Sequence, residues 1–310
     1  MDGMAVLKKF GFRAQEEPES IYPFSPVYRV TGEKEGFIVK KTQRPIGRAQ
    51  RMMRYTNNLK ENGIDVVTPV NLNEENPQPI EGDVYVVYPF INGAQYSGKD
   101  EEIIAAGRLL GEIHSLSPKE NTFELEEYDV YDFNKDEVTE SVKNIEENAS
   151  QYNFRLDGIQ LKEKLLEIVT QQEELKKSGL PYVITPHDFK ANNLIYTPGP
   201  YLIDPDNASW IPRIFDLALA LLLFHNELST APDTPFTPNQ WKLFLDGYKE
   251  SVKMTEVELT YWQKAIEHVF LDEVMWLMSD VKEDWANPPQ RFLFEELIKI
   301  LIDTSSYSLK

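Results

Sequence analysis

Residues 184–196 form a polar segment between short β-type runs, and they are the strongest indicator of the fold. The segment reads Ile184-Thr185-Pro186-His187-Asp188-Phe189-Lys190-Ala191-Asn192-Asn193-Leu194-Ile195-Tyr196. A second short stretch follows it and reads Leu202-Ile203-Asp204-Pro205-Asp206. In both, polar residues stand beside short runs of β-branched and aromatic residues, which is typical of a loop between short strands. The polar residues of these two stretches are therefore expected to lie near one another.

These residue types suit phosphoryl transfer. A carboxylate such as Asp188 can orient a hydroxyl and accept its proton, and a lysine such as Lys190 neutralises charge on the transferred group. Carboxylate and amide oxygens, available at Asn193 and Asp204, are the ligands that a hard divalent cation prefers. Asp and Asn also occur as ordinary turn residues. Their combination with Lys190 and a strand-borne Asp favours the functional interpretation.

The Asp188-to-Asn193 stretch resembles the Asp-Leu-Lys-x-x-Asn catalytic loop of the protein-kinase-like fold. Its surroundings are similar to the aminoglycoside phosphotransferase and choline kinase-like family over about residues 25 to 250. Three flanking motifs carry that similarity: Leu110-Gly111-Glu112-Ile113-His114, Arg213-Ile214-Phe215-Asp216-Leu217-Ala218 and the hinge-like Tyr88-Pro89-Phe90-Ile91-Asn92-Gly93.

The resemblance implies an α+β, bilobal protein-kinase-like fold, with an antiparallel β lobe over residues 1–91 and a mainly helical lobe over residues 92–310. The sequence pattern agrees with this organisation. It predicts a helix over Gly47–Asn62, a hairpin turn over Thr31–Gly36, and strands at Val27–Val30, Phe37–Lys40, Asp65–Leu72 and Asp83–Phe90. Beyond residue 92 helical spacing dominates, and Leu217–Phe224 is apolar all round, which indicates a buried helix.

The resemblance also implies roles for individual residues. Asp188 is the catalytic carboxylate and Lys190 contacts the γ-phosphate. Asn193 and Asp204 hold Mg²⁺, and Asp206 is either a second metal ligand or a substrate contact. His114 and Asp216 are interpreted as packed or bracing residues.

The implied nucleotide is ATP, with GTP as the alternative. Lys40 is the candidate for the α- and β-phosphates, with Lys41 as its competitor. The backbone of Tyr88, Phe90 and Ile91 is expected to meet the base.

Three features depart from the family pattern. Pro186 stands where the catalytic loop usually has histidine, with His187 one residue closer to Asp188. The expected nucleotide-covering loop, Ser20–Pro26, contains no glycine. The helix predicted over Gly47–Asn62 has no Asp or Glu from Gly47 to Lys60, so Lys40 lacks the usual helix partner and Gln50 is its only suggested substitute.

Composition narrows the function classes. The 310 residues include no cysteine, which excludes disulfides and thiolate chemistry and fits the cytoplasm. The net charge of −19 disfavours nucleic acid as a partner. An acidic surface could attract a cationic substrate, but the favoured interpretation is that the acidity only keeps the protein soluble. The N-terminus does not read as a signal peptide, and no apolar stretch is long enough to span a membrane. The oligomeric state is left open.

The sequence therefore predicts a kinase for a hydroxyl on a small metabolite or an aminoglycoside-type antibiotic. The alternative is a non-catalytic binding or structural protein, as among the spore-coat kinase-like relatives. A protein kinase is disfavoured, because no Ala-Pro-Glu signature follows Asp204 and only a short segment separates Asp204 from Pro212. Acceptor contacts are expected from the helical lobe, through Glu124–Glu147 and the C-terminal helices, which contain Trp241, Trp262, Trp276 and Trp285. For any single one of these residues, the favoured interpretation is that the tryptophan is core and the carboxylate is solvated.

Overall fold

The protein is described by a computed structural model for residues 2–22, 25–31 and 36–309. The predicted turn Thr31–Gly36 and the predicted nucleotide-covering loop Ser20–Pro26 lie partly outside these residues. The chain divides into two compact units. The smaller comprises Met1–Ala94, Glu120–Leu125 and Leu194–Ala208; the larger comprises Gln95–Lys119, Glu126–Asn193 and Ser209–Lys310.

The described residues contain helices and strands with both short and long connections. The helices are α1 Gly3–Lys9, α2 Ile46–Glu61, α3 Asp100–Ser115, α4 Lys135–Gln151, α5 Gly158–Val169, α6 Gln172–Lys176, α7 Arg213–Leu223, α8 Pro238–Tyr248, α9 Glu256–Val269, α10 Met275–Asp280 and α11 Pro288–Ile302. The strands are β1 Val27–Thr31, β2 Gly36–Thr42, β3 Gln78–Ile80, β4 Asp83–Pro89, β5 Ala94–Gln95, β6 Tyr182–Thr185, β7 Leu194–Tyr196, β8 Pro200–Leu202 and β9 Ser209–Pro212. A π-helical turn, Phe270–Val274, joins α9 to α10, and short 3₁₀ turns cover Ala191–Asn193 and Lys282–Ala286. None of the helices in the described ranges is long and apolar enough to cross a bilayer.

The smaller unit is built on an antiparallel sheet in the order β1-β2-β4-β3. The strand β4 is buried on both faces: Val87 packs with Val39, Val6 and Phe10 on one side, whereas Val86 belongs to a second apolar cluster. The strands predicted at Val27–Val30, Phe37–Lys40 and Asp83–Phe90 correspond to β1, β2 and β4. Lys40 pairs with Val86 in the register of β2 and β4, so it stands on the middle strands.

The strand predicted over Asp65–Leu72 is wrong. Its backbone bonds to two different partners, because Val67 N–H donates to the Leu202 carbonyl and Val70 N–H donates to the Val87 carbonyl. Pro69 lies between them and has no N–H to continue a ladder. The fourth strand of the sheet is instead the short β3.

In the larger unit, α3 and α8 pack at very short range because glycines face each other's backbone. A Cβ at Gly107 of α3 would lie 2.0 Å from the Phe244 carbonyl oxygen, and a Cβ at Gly247 of α8 would lie 2.1 Å from that of Ile104. Any side chain at these positions would force the helices apart. The glycine of the Leu-Gly-x-x-His motif, Gly111, makes the same kind of approach to Tyr248.

Elsewhere the larger unit follows the apolar pattern of its helices. All residues of α7 from Ile214 to Leu223 are buried, as predicted for Leu217–Phe224. The acidic stretch Glu124–Glu147, left open as a connection or a solvated helix, largely enters α4, which buries Val138, Val142 and Ile145. The strand β6 pairs with β9 in antiparallel register, Tyr182 with Pro212 and Thr185 with Ser209, so the end of β6 that leads into the predicted catalytic loop lies opposite the start of β9.

Candidate functional site

The predicted catalytic loop follows β6 in the larger unit. His187 and Asp188 have φ of +53° and +52°, a left-handed backbone that costs residues other than glycine about 1–3 kcal/mol. Two hydrogen bonds hold the turn: Asn193 Nδ2 donates to the Asp188 carbonyl oxygen at 2.9 Å, and Ala191 N–H donates to the Phe224 carbonyl oxygen at 2.9 Å. The loop is therefore fixed by its own Asn193 and by the end of α7.

Asp188 and Lys190 form an ion pair within this loop. Lys190 Nζ lies 3.3 Å from Asp188 Oδ1 and 2.7 Å from Glu227 Oε2. Burial raises the pKa of Asp188, and the opposing attraction of Lys190 only partly offsets it. Burial by itself would lower the pKa of Lys190, but Asp188 and Glu227 outweigh it and keep the ammonium charged. Glu227, which the sequence did not single out, thus anchors Lys190.

A buried polar network supports the strand that leads into the loop. Asp216 Oδ2 accepts a hydrogen bond from Thr185 Oγ1 at 3.0 Å and lies 2.9 Å from His114 Nε2. His114 Nδ1 lies 2.8 Å from the Tyr248 hydroxyl. Because these side chains are buried and satisfy one another, Asp216 and His114 brace β6, as the sequence interpretation expected.

His187 packs against an acidic cluster that the sequence analysis missed. Its ring meets the edge of the Tyr128 ring at a centroid distance of 4.6 Å. The Tyr128 hydroxyl donates to Asp272 Oδ1 at 3.1 Å and to Glu273 Oε1 at 3.0 Å. Burial and the adjacent Glu273 raise the pKa of Asp272 to about 8. Both carboxylates come from the π-helical turn, a local insertion that is often found at functional sites.

Of the four tryptophans named for acceptor contacts, three belong to the core. Trp241, Trp262 and Trp285 are at most 2% exposed. Trp276 is 52% exposed and stands on α10, one helical turn after Asp272 and Glu273. It is the member of the set that can meet a ligand.

In the smaller unit, Lys40 lies between two carboxylates. Its Nζ is 2.6 Å from Asp204 Oδ1 and 3.0 Å from Asp206 Oδ2. Burial alone would lower the pKa of Lys40, but Asp206 and Asp204 raise it above its ordinary value. The competitor Lys41 pairs with Asp83 instead, at 2.9 Å. Lys40 thus takes its carboxylate partners from residues 204–206 and not from α2, where Gln50 is exposed.

Tyr88 contributes a side chain to this group. It is buried, and its hydroxyl donates to Asp206 Oδ1 at 3.3 Å. Burial raises the pKa of Asp206, with Lys40 opposing and Asp204 reinforcing the rise. The Tyr88 hydroxyl and Lys40 together hold Asp206 from two sides. The sequence analysis had considered only the backbone of Tyr88.

The hinge-like strand end offers selected backbone groups. Phe90 N–H donates to the Gly36 carbonyl oxygen at 2.8 Å, so that amide belongs to the sheet. On the opposite side, Val87 N–H donates to Asn76 Oδ1 and the Val87 carbonyl accepts from Val70 N–H. Since backbone groups alternate along a strand, the Pro89 carbonyl and Ile91 N–H follow the direction of Val87.

An apolar cluster accompanies these groups in the smaller unit. Buried Val67, Val86 and Tyr88 pack with the partly buried Ile38, Ile91, Tyr201 and Ile203. Ile38 precedes Lys40 by two residues on β2, and Ile203 directly precedes Asp204. The closeness of Ile38 to Lys40 and of Ile203 to Asp204 along the chain was the sequence signal that could have identified these two isoleucines.

The donor set suits a hard cation. Asp204 and Asp206 supply carboxylate oxygens, and Asn193 uses its Nδ2 as a donor, which leaves Oδ1 as its acceptor atom. Within residues 2–22, 25–31 and 36–309, no three His, Asp or Glu side chains group as a metal site. The two carboxylates belong to the smaller unit and Asn193 to the larger unit, and each supplies an oxygen of the kind that a hard cation prefers.

Comparison with solved structures identifies the fold. A microcompartment-associated aminopropanol kinase superposes with a TM-score of 0.68 at 13% identity, over 99% of this chain and 98% of that chain. Amicoumacin kinase hAmiN, in complex with AMP-PNP, Ca²⁺ and Ami, gives 0.67 at 16% identity, over 99% and 95%. Choline kinase LicA from Streptococcus pneumoniae gives 0.58 at 15% identity, over 96% and 98%.

These likenesses confirm the predicted protein-kinase-like fold. No curated protein sequence matches the chain significantly. A family model, APH, described as the phosphotransferase enzyme family, matches residues 24–250. This match confirms the predicted enzyme class, a phosphotransferase for small-molecule hydroxyls, at the level of the family. Because the matched residues make up most of its length, the chain belongs to the APH phosphotransferase enzyme family.

Proposed function

We propose that this protein transfers the γ-phosphoryl group of ATP to a hydroxyl of a small molecule that carries a cationic amine. The catalytic loop is the observation that carries the proposal. Asp188 is held in a left-handed turn by Asn193 and paired with Lys190, so a carboxylate, a cation and an amide oxygen stand together in the larger unit. These are the kinds of group that phosphoryl transfer requires.

The smaller unit supplies the nucleotide contacts in this proposal. They come from residues 1–91 together with Asp204 and Asp206. The Pro89 carbonyl accepts from the adenine amino group and Ile91 N–H donates to the ring, while Tyr88 and Phe90 shape the strand end. The apolar cluster with Ile38 and Ile203 encloses the base. At its 6-position adenine carries an amino donor and guanine a carbonyl acceptor, so a backbone carbonyl facing that position favours ATP over GTP. The amicoumacin kinase structure contains the ATP analogue AMP-PNP.

Lys40 contacts the α- and β-phosphates, and Asp204, Asn193 and Asp206 hold Mg²⁺. When bound, the cation neutralises charge on the phosphate oxygens. Lys40 then exchanges part of its pairing with Asp204 and Asp206 for phosphate oxygens. This exchange keeps the ammonium paired, so its burial remains compensated.

Asp188 acts on the acceptor. It orients the hydroxyl and accepts its proton as the oxygen attacks the γ-phosphorus. A carboxylate whose pKa is raised by burial is a better proton acceptor than an exposed one. Lys190, anchored by Glu227, contacts the γ-phosphate and balances the charge that develops there.

The acidic cluster at the π-helical turn is the proposed site for the acceptor's amine. Glu273 supplies negative charge, an approaching amine would favour the ionised form of Asp272, and exposed Trp276 offers an aromatic face to a cation. The aminopropanol and choline kinases named above act, by their names, on amine-bearing alcohols. The net charge of −19 favours approach of a cation.

A non-catalytic role on the same fold is the second candidate. Two observations favour it: Lys40 has no carboxylate partner on α2, and the loop Ser20–Pro26 lacks glycine. If it holds, the protein binds ligand without turnover. In either case we expect the protein to function in the cytoplasm, because ATP is abundant there.

The test is thermal unfolding of wild type, Asp204→Asn and Asp188→Asn with Mg-ATP and with Mg-GTP, followed by product detection. A ligand at 100 times its Kd stabilises a protein by about 2.7 kcal/mol. We expect wild type and Asp188→Asn to be stabilised by Mg-ATP and Asp204→Asn to lose most of that effect. Among these proteins only wild type should phosphorylate a panel of amino alcohols and aminoglycosides.

Two outcomes would change the conclusion. Stabilisation of wild type without any phosphorylated product in the panel would favour the non-catalytic role. No stabilisation by either nucleotide would remove the kinase proposal. Turnover of neutral sugars with no turnover of amines would keep the kinase but reject the cationic acceptor.

A further inference from the structure

Tyr128 lies between the π-helical turn and the catalytic loop, within the larger unit. Its backbone is fixed beside β9, because Tyr128 N–H donates to the Trp210 carbonyl oxygen at 2.9 Å and Trp210 N–H donates to the Glu126 carbonyl oxygen at 2.9 Å. Trp210 is paired in turn with Ile184 of β6, the strand that leads into the loop. Hydrogen bonds therefore set the position of the Tyr128 main chain relative to the loop.

The Tyr128 side chain makes a contact at each end. Its ring meets the His187 ring edge to face, with a centroid distance of 4.6 Å and an interplanar angle of 69°. Its hydroxyl lies 3.1 Å from Asp272 Oδ1 and 3.0 Å from Glu273 Oε1. One rigid phenol thus joins the carboxylates of the π-helical turn to the residue that precedes Asp188.

The hydroxyl gives the two carboxylates only one hydrogen to share. A phenol has a single hydrogen to donate, so it satisfies Asp272 or Glu273 but not both at the same time. Protonation of Asp272, whose pKa is raised by burial to about 8, supplies a second hydrogen. An ammonium group supplies three. A bound amine would therefore satisfy both carboxylates while the Tyr128 hydroxyl keeps its place between them.

The other end of Tyr128 meets a strained backbone. His187 and Asp188 are consecutive residues with φ of +53° and +52°, and neither is glycine. Such a conformation persists only where its surroundings hold it. His187 is buried, and the Tyr128 ring packs against it. Loss of this contact would let the turn relax and would move the Asp188 carboxylate.

We propose that Tyr128 is a positioning residue that fixes the spacing between the acceptor's amine and the hydroxyl that Asp188 activates. This inference rests on the proposed function, in which the amine lies at Asp272 and Glu273. Because the amine and the hydroxyl belong to one acceptor molecule, the distance from these carboxylates to Asp188 selects the length of the acceptor. Tyr128 sets that distance through its hydroxyl at one end and His187 at the other.

The first experiment measures kcat and KM for linear amino alcohols of increasing length, from ethanolamine to aminooctanol, at saturating Mg-ATP. Wild type is compared with Tyr128→Phe, which keeps the ring and removes the hydroxyl. The matched control is Tyr131→Phe, which removes the hydroxyl of a half-buried tyrosine in the same segment, packed against Phe215. We expect wild type and the control to prefer one length. For that acceptor Tyr128→Phe should lose about tenfold in kcat, with an unchanged KM for Mg-ATP.

The length preference is the result that a merely structural role of Tyr128 would not change. We expect Tyr128→Phe to discriminate less between acceptor lengths than wild type does. The proposal is overturned if Tyr128→Phe keeps the kcat and the length preference of wild type, or if it raises only the KM for the acceptor. Wild-type turnover with no length preference would overturn it as well.

A second experiment does not depend on turnover. Hydrogen exchange of residues 184–193 is measured in Tyr128→Leu, His187→Asn and the double variant, with residues 238–248 of α8 as the reference for global stability. Asn tolerates a left-handed backbone, so His187→Asn removes the ring without adding strain. We expect each single variant to exchange faster in the loop but not in α8. The double variant should show no further increase, because both changes remove one contact.

The two experiments separate this proposal from the proposed kinase function. Additive effects of the two changes on loop exchange, or equal acceleration in α8, would overturn the positioning role even in an active kinase. If wild type phosphorylates no amino alcohol, the amine acceptor of the proposed function is wrong, and the spacing role of Tyr128 is overturned with it.

Discussion

Replacement of Asp216 by alanine tests whether the buried network braces the catalytic loop. The carboxylate is 1% exposed and accepts from Thr185 Oγ1 at 3.0 Å and contacts His114 Nε2 at 2.9 Å. Asp216→Ala leaves Thr185 Oγ1 and His114 Nε2 buried with each other, at 3.3 Å, and at least one of the two donors without its acceptor. An unsatisfied buried group costs about 1–3 kcal/mol, so the free energy of unfolding should fall by at least about 1–3 kcal/mol.

That loss is large against a total stability of roughly 5–15 kcal/mol. Urea unfolding, followed by circular dichroism and tryptophan fluorescence, measures it. Asp216→Asn retains one acceptor oxygen and should lose about half as much. The control Asp246→Ala removes an exposed aspartate of α8 and should stay within about 0.5 kcal/mol of wild type.

The bracing role is refuted if Asp216→Ala unfolds at the same urea concentration as wild type with an unchanged slope. If stability is unchanged and phosphorylation is nevertheless abolished, Asp216 acts in the chemistry itself. Lowered stability with residual turnover under folded conditions supports the brace.

Three further predictions concern charge and packing. Lys40→Ala should abolish stabilisation by Mg-ATP whereas Lys41→Ala, which loses only the pair with Asp83, should retain it in the same thermal assay. The pKa of Asp272 is raised to about 8, so folding favours its protonated form: its contribution to stability is full below about pH 4 and is lost as pH rises through about 8. Between pH 5 and 9 wild type should therefore lose more stability than Asp272→Asn, and equal losses would show that Asp272 is ionised throughout. Gly247→Ala brings a Cβ to 2.1 Å from the Ile104 carbonyl oxygen and should cost about 1–3 kcal/mol, seen as a lower Tm; an unchanged Tm would show that α3 and α8 separate freely.

The parts of the site that the sequence predicted are those whose contacts are local. Asn193 reaches Asp188 across five residues, and Lys190 pairs with Asp188 across two. The residue types within one short loop determine these contacts, because the chain has little freedom to place them elsewhere. The predicted catalytic loop could therefore be recognised from thirteen consecutive residues.

The partners of Lys40 show the opposite case. Lys40 and Asp204 are separated by 164 residues, and the sequence pattern suggested a partner on α2 that the helix does not have. The structure supplies Asp204 and Asp206 together, with Tyr88 as a third contact. No spacing rule connects these positions, since the pairing depends on how the sheet packs against the β7-β8 hairpin of the same unit.

The π-helical turn was missed for a related reason. Phe270, Leu271 and Val274 continue an apolar pattern that reads as one α-helix, so nothing in the spacing marks the inserted residue. The insertion places Asp272 and Glu273 together at the Tyr128 hydroxyl. Burial beside Tyr128 then raises the pKa of Asp272, which composition alone could not indicate.

Glu258 takes part in one contact with a near neighbour in the sequence and in another that only the folded chain creates. Thr255 and Glu258 form a capping box at the start of α9, a feature that residues three apart in a sequence can indicate. The same Glu258 is fully buried and accepts from Arg213 Nε at 2.7 Å, a contact between α9 and the start of α7 that only the folded chain creates. The sequence by itself determined the catalytic loop, the caps and the main helices and strands, since these depend on neighbours along the chain. The tertiary structure fixed which charges pair and which are buried, because those contacts depend on distances between segments that the sequence pattern does not specify.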